Sequence, residues 1–248
     1  MIHLSAFTVA IGTVPNTDVP AVTDEIIAIQ AGHLLLPQDL GIIAAWAGSA
    51  TINRARLNSP TLRQISPPFI RPINFALLPT NDPNLATWKD NPIRARGQEE
   101  LQVEASSDVA VSEQLTAFIW LQDQFTPAPI GDIYTIRATS ITTSTARAWS
   151  PLTFTFDSQL PAGTYAVVGG EYVGTTAQAF RCIFDQQFFR PGGLGTAVLG
   201  NRTHPYFYDG KMGLWGRFRT FSLPRIEVFT DTAISVHTVY LQVVRIGA

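Results

Sequence analysis

Residues 160–184 read "LPAGTYAVVGGEYVGTTAQAFRCIF", and residues 36–57 read "LPQDLGIIAAWAGSATINRARL". Each begins with Leu-Pro and a short polar step. Each then runs through small apolar residues to a glycine followed by Ser, Thr or Ala, and reaches an arginine beside apolar neighbours. A chain of 248 residues that says nearly the same thing twice, half its length apart, invites reading as two copies of one unit.

The match can be followed in register. Leu36-Pro37 matches Leu160-Pro161 at an offset of 124, Gly48 matches Gly174 at 126, and Arg56 matches Arg181 at 125. Further on, "RAR" (94–96) matches "RFR" (217–219) at 123, and "LQV" (101–103) matches "IEV" (226–228) at 125. "FIRP" (69–72) and "FFRP" (188–191) correspond at 119, so the loops before them differ in length. Both halves close alike, with an Arg-containing strand, a polar step ("EASSD", "FTDTA") and a final aromatic-rich strand. Generic β composition, which makes any two sandwich halves look alike, is the competing account. Tandem duplication predicts domains at 1–124 and 133–248, with a linker at 125–132 inside "DQFTPAPIGD", where Pro127 and Pro129 stiffen the connection.

The pattern within each half is that of strands. "LTFTFD" (152–157) alternates Leu152, Phe154 and Phe156 with Thr153, Thr155 and Asp157, the period of a strand with one buried face. "QLTAFIWLQ" (114–122) and "TVYLQVVRI" (238–246) are apolar runs rich in β-branched and aromatic residues, which predicts strands buried on both faces. Seventeen prolines and eighteen glycines punctuate such segments along the chain. "TDEIIAIQAGHLL" (23–35) could instead form a helix capped by Thr23 or Asp24, but its counterpart in the repeat is "LTFTFD", so "EIIAIQ" is read as a strand.

Composition narrows the classes of function. Charged residues make up 15% and apolar residues 46%, enough for a core and for surfaces buried between subunits. The formal charge is −2 and neither end carries a basic run, so a nucleic-acid-binding arm is not expected. Cys182 is the single cysteine, which rules out an intrachain disulfide and suits a reducing cytoplasm; inside an apolar run, it reads as a small buried hydrophobe. The first twenty residues lack a basic segment followed by a clean apolar one, so a secretory signal is not expected. No stretch has the ~18 to 20 apolar residues that span a bilayer.

Residues that could carry chemistry are scattered. His3, His33, His204 and His237 have no metal-ligand spacing, so no metal or cofactor is expected and no catalytic residue is assigned. "RPGGLGTAVLG" (190–200) lacks the Lys-Ser/Thr of a phosphate loop and reads as a turn-rich loop. Asp157, Glu171 and Asp185 are the carboxylates for a hydrolase reading, with solvated strand faces as the plainer fate. Asn201-Arg202-Thr203 matches a glycosylation sequon, which means little without a secretory signal. Trp46, Trp88, Trp120, Trp149 and Trp215 can serve core or interface; the aromatic loop "THPYFYDGKMGLWGRF" (203–218), Gly-broken and polar, leans towards an interface.

Each half is long enough for eight short strands, the size of one jelly roll. Two successive jelly rolls in one cysteine-poor, weakly charged chain resemble the major capsid proteins of the double jelly-roll viral lineage, especially those of tailless icosahedral bacteriophages such as corticoviruses. The likeness rests on duplication, strand pattern and composition. It implies an all-β fold of two tandem eight-stranded jelly-roll barrels and a structural, non-enzymatic role. It also implies homotrimers that tile a pseudo-hexagonal shell, with vertex or minor capsid proteins as further partners. Such a protein assembles in the host cytoplasm and resides in the virion, meeting the genome through an inner membrane or other proteins rather than by sequence-specific nucleic-acid contact. A carbohydrate-binding or adhesion module is the alternative, and a glycan or peptide-amide hydrolase on the same fold is the third reading.

Overall fold

The computed structural model describes residues 1–49, 53–64, 69–70, 72–74, 85–107, 113–157, 159–196 and 205–247. These form strands almost throughout, with one short helix, α1 (Pro60–Gln64), and a single 3-10 turn at Pro205–Phe207. The first half contains β1 (Ile2–Ile11), β2 (Thr17–Val19), β3 (Ala28–Gln30), β4 (His33–Leu35), β5 (Leu40–Ser49) and β6 (Asn53–Asn58). It continues through β7 (Phe69–Ile70), β8 (Pro72–Asn74), β9 (Ala86–Thr87), β10 (Ile93–Ala95), β11 (Glu100–Ser107) and β12 (Glu113–Gln122). The second half contains β13 (Ile133–Ser140), β14 (Ser150–Leu152), β15 (Thr155–Phe156), β16 (Thr164–Val173) and β17 (Ala177–Ile183). It ends with β18 (Gly192–Thr196), β19 (Gly216–Arg219), β20 (Arg225–Thr230) and β21 (His237–Gly247).

Packing divides the chain into two units. One holds Leu4–Leu77 and Asp82–Asp123; the other holds Gln124–Ala248 together with Met1–His3. The Pro-rich connector lies along the second unit, where Thr126 O accepts from Leu214 N at 2.8 Å and Ala128 packs on Ala166, Val168 and Val244.

Strand order is the same in both units. In the first, β1-β12-β5-β10 form one sheet and β4-β11-β6-β7 run through the other. In the second, one nine-stranded sheet runs β14-β20-β17-β18-β16-β21-β13-β15 with β19 paired to β16; its runs β13-β21-β16-β19 and β14-β20-β17-β18 follow the same sequence of neighbours as the first unit's two sheets, but are joined where β18 pairs β16. Counting β1, β4, β5, β6, β7, β10, β11 and β12 of the first half and β13, β14, β16, β17, β18, β19, β20 and β21 of the second as strands 1 to 8, the runs of neighbours read 1-8-3-6 and 2-7-4-5 in both. Smaller details repeat too. β8 runs parallel to β5 through Gly48↔Ile73, and β18 runs parallel to β16 through Tyr172↔Gly195, while the other pairs of named strands among the described residues are antiparallel.

Local sequence accounts for these elements. β12 is buried on both faces from Leu115 to Gln122, as its apolar run predicts, and Phe118 stacks on Trp46 of β5 at 5.7 Å. β11 alternates cleanly, with Leu101, Val103 and Ala105 inward and Gln102 and Glu104 on the outer face. Residues 151–157 keep the expected alternation, Leu152, Phe154 and Phe156 half-buried and their neighbours exposed, although the strand breaks at 153–154.

Several expectations need correction. β21 alternates from His237 to Val243 and is exposed beyond Val244, so it is buried on one face rather than two. Only Ala28–Gln30 of "EIIAIQ" is strand; Asp24 Oδ1 accepts from Ile26 N at 2.8 Å and Ile27 N at 3.3 Å, folding the preceding residues into a turn. Gly192–Thr196 is a fully buried strand, not a turn-rich loop; residues 197–200 lie outside the described ones. Its glycines serve close approach, since a Cβ on Gly192 would stand 1.9 Å from Phe180 O. The match of "LQV" with "IEV" is two residues out. β11 sets Glu104 opposite Arg56, and β20 sets Glu227 opposite Arg181, so "VEA" (103–105) occupies the place of "IEV". A shift of two preserves the face of a strand, which is why the apolar pattern alone could not detect it.

Candidate functional site

On the second unit, the turn after β19 opens a cleft of about 390 Å³. β19 alternates, so Gly216 and Phe218 point inward while Arg217 and Arg219 face solvent. Phe218 stacks on Tyr165 at 5.7 Å, and a Cβ on Gly216 would meet the Phe184 ring at 2.5 Å, so this strand start must be glycine. Ser222 N then donates to Arg219 O at 2.8 Å, closing a turn that holds Phe221 out, 81% exposed, with the Arg219 guanidinium 5.8 Å from its ring. Ser222 Oγ donates to Asp185 Oδ2, tying the turn to the loop after β17. Asp185 is the one carboxylate lining the cleft among the described residues. Exposed arginines and an exposed ring on a braced turn suit recognition of an acidic, partly apolar surface.

Each carboxylate of the hydrolase reading has its own neighbour. Asp157 faces Arg137 at 3.4 Å, Asp185 holds Ser222, and Glu171 lies on β16 opposite Tyr240. Among the described residues no group of three or more His, Cys, Asp or Glu is placed to hold a metal ion. His204 and the sequon at 201–203 lie outside the described residues. Cys182 is buried, and burial pushes its thiol pKa far up, leaving it an inert apolar group.

Each remaining histidine has its own local role. His3 is buried beside Phe189, its Nδ1 accepting from Arg190 N at 3.3 Å. His33 bridges two strands: Nε2 meets Asp18 of β2 at 2.7 Å and Nδ1 meets Glu100 of β11 at 2.9 Å. Burial alone would lower its pKa, but the two carboxylates outweigh this and hold it above the ordinary value. His237 is the reverse case. Its Nε2 faces the carbonyls of Thr142 and Ile234 at 3.1 and 3.0 Å, which fixes the proton there and leaves Nδ1 to accept from Tyr172 OH at 2.7 Å. Burial dominates and lowers its pKa.

The aromatic loop is mainly core. Phe207, Met212, Trp215 and Phe218 are buried, and Trp215 packs on Phe180 at 5.8 Å. Trp46 and Trp120 are also buried, while Trp88 and Trp149 are half-buried. Among the described residues the exposed rings are Phe125, Tyr134, Phe188 and Phe221; Phe188 figures in the sequence reading through the "FFRP" match, but none of the four was read there as an exposed group. A turn bracketed by an Arg-x-Arg strand and by Pro224 was the available signal for Phe221.

The repeat also carries an ion pair. Arg56 Nε donates to Glu104 at 2.6 Å in the first unit, and Arg181 Nε donates to Glu227 at 2.5 Å in the second. In the second unit the pair is buried, Arg190 Nη1 also reaches Glu227 at 2.8 Å, and the Arg181 guanidinium lies 4.3 Å over the Trp149 ring. Compared with protein-family models and with curated proteins, the chain matches none.

Proposed function

We propose that this chain is a structural shell protein built from two jelly rolls, a capsid subunit that works as a trimer. The carrying observation is the strand order 1-8-3-6 and 2-7-4-5, written twice with the same parallel pairing and a cross-strand Arg–Glu pair in each half. That order follows from simple folding logic. A long antiparallel ribbon of eight strands pairs 1 with 8, 2 with 7, 3 with 6 and 4 with 5, and rolling it up brings alternate pairs side by side into two sheets. Two such rolls per chain give a trimer six similar rolls around its axis, a geometry that can occupy six-fold positions in a closed lattice. The role is architectural, carried by repeated interfaces rather than by a reacting group.

Light scattering of the purified full-length protein tests this reading. Trimers of three times 27.1 kDa, or larger particles built from them, are the expected result. A monomer that persists at every concentration and ionic strength would overturn it.

A further inference from the structure

Charge is divided unevenly between the halves. Residues 1–123 hold seven Lys+Arg against twelve Asp+Glu, a net of −5, whereas residues 124–248 hold ten against seven, a net of +3. Exposed apolar side chains are uneven too. Among the described residues, Val14 is the one large hydrophobic of residues 4–123 that is exposed, while Ile130, Ile133, Tyr134, Phe188, Phe221 and Leu223 are all exposed in the second half.

Strand register gathers several of these at one end of a single sheet. Ile133 of β13 lies opposite Val244 of β21, and Thr164 of β16 lies opposite both Gly247 of β21 and Arg219 of β19. Register also sets Ile133 in one row with Val244, Ala166 and Arg217, so exposed Ile133 shares a face with Arg217 and Arg219 at that end, and exposed Phe221 and Leu223 follow in the turn after β19. The cleft with Arg217 closes the row at its far edge.

We propose that this arginine-aromatic band is a self-association surface, and that its occupant is the acidic first half of a second copy of the chain. Contact between unlike halves is heterologous, so its repetition closes a ring when the rotation permits. Opposite net charges steer the encounter in that orientation and disfavour contact between two basic halves. Exposed rings beside guanidiniums supply the apolar anchor, the combination that dominates binding energy at protein interfaces. The contact accounts for band residues that no packing within the second unit covers. This inference rests on the self-assembly proposed above and gives it an orientation.

The test compares the full-length protein with Arg217→Glu/Arg219→Glu, with Phe221→Ser, and with Lys211→Glu/Arg137→Glu as a charge-matched control, by light scattering over a range of protein and salt concentrations. Unchanged thermal midpoints establish that the variants fold. The expected result is that the first two weaken association roughly tenfold or more, the control weakens it much less than the arginine variant, and the wild type weakens as salt rises from about 0.05 to 0.5 M. Assembly of the band variants as tight as wild type would overturn this surface while leaving the shell reading standing. A wild type that never associates, but binds anionic phosphatidylglycerol vesicles through these residues, would overturn both.

Discussion

His33 meets a carboxylate at each ring nitrogen, whereas His237 is wedged between carbonyls and a phenol, so the two respond to acid in opposite senses. The pKa of His33 is raised in the fold, so the stability it contributes is fully present below its unfolded value near 6.5 and is lost as pH rises through the higher folded value. The pKa of His237 is lowered, so the unfolded chain takes up the proton first and stability falls as pH drops below about 6.5. Thermal unfolding followed against pH should show this division. Asp18→Asn should flatten the loss above pH 6.5, and His237→Gln should flatten the loss below it; a variant that leaves its limb unchanged would contradict the assignment. The repeated ion pair supports a second prediction. Glu227→Gln strands two buried guanidiniums and should cost about 3–5 kcal/mol. Glu104→Gln removes the matching charge where Arg56 is 30% exposed and should cost only about 1 kcal/mol, both measured by urea unfolding.

At the level of elements, β18 is where the chain tolerates least. Gly192 pairs with Arg181 on β17 with its Cα side against the Phe180 carbonyl, and Gly192→Ala should destabilise the second unit by about 1–3 kcal/mol or more, because backbone rather than a side-chain tip must move. An unfolding midpoint equal to wild type would contradict the packing of this strand. The same strand shows what was legible and what was not. The Leu-Pro steps at 36 and 160 each stand four residues ahead of β5 and β16, and Arg56 and Arg181 each face a glutamate across the sheet, so the repeat could be read directly. "GGLGT" could not, because glycine is shared by turns and by strands pressed against another backbone, and only the neighbour decides between them. Rings at 207, 215 and 218 were misplaced for a related reason. Their loop looks polar because its apolar residues are spaced irregularly, yet each finds the core. The cluster at His33 was hidden because its partners stand 15 and 67 residues away, which no spacing rule reaches.

For the whole molecule, the repeated strand order has a consequence that no single site has. The two units share one order of strand neighbours, while the two halves of the sequence carry net charges of opposite sign. Evenly shaped parts let neighbours pack around an axis, and unlike surfaces set which part meets which. Between the units the order of strand neighbours and the Arg–Glu pair persist while the exposed residues differ. The most direct measurement is electron microscopy of the assembled full-length protein, averaged down its symmetry axis. The account predicts three-fold particles with six lobes of similar size, arranged singly or in hexagonally spaced sheets and shells. Particles with any other number of lobes, or fields of isolated monomers, would contradict it.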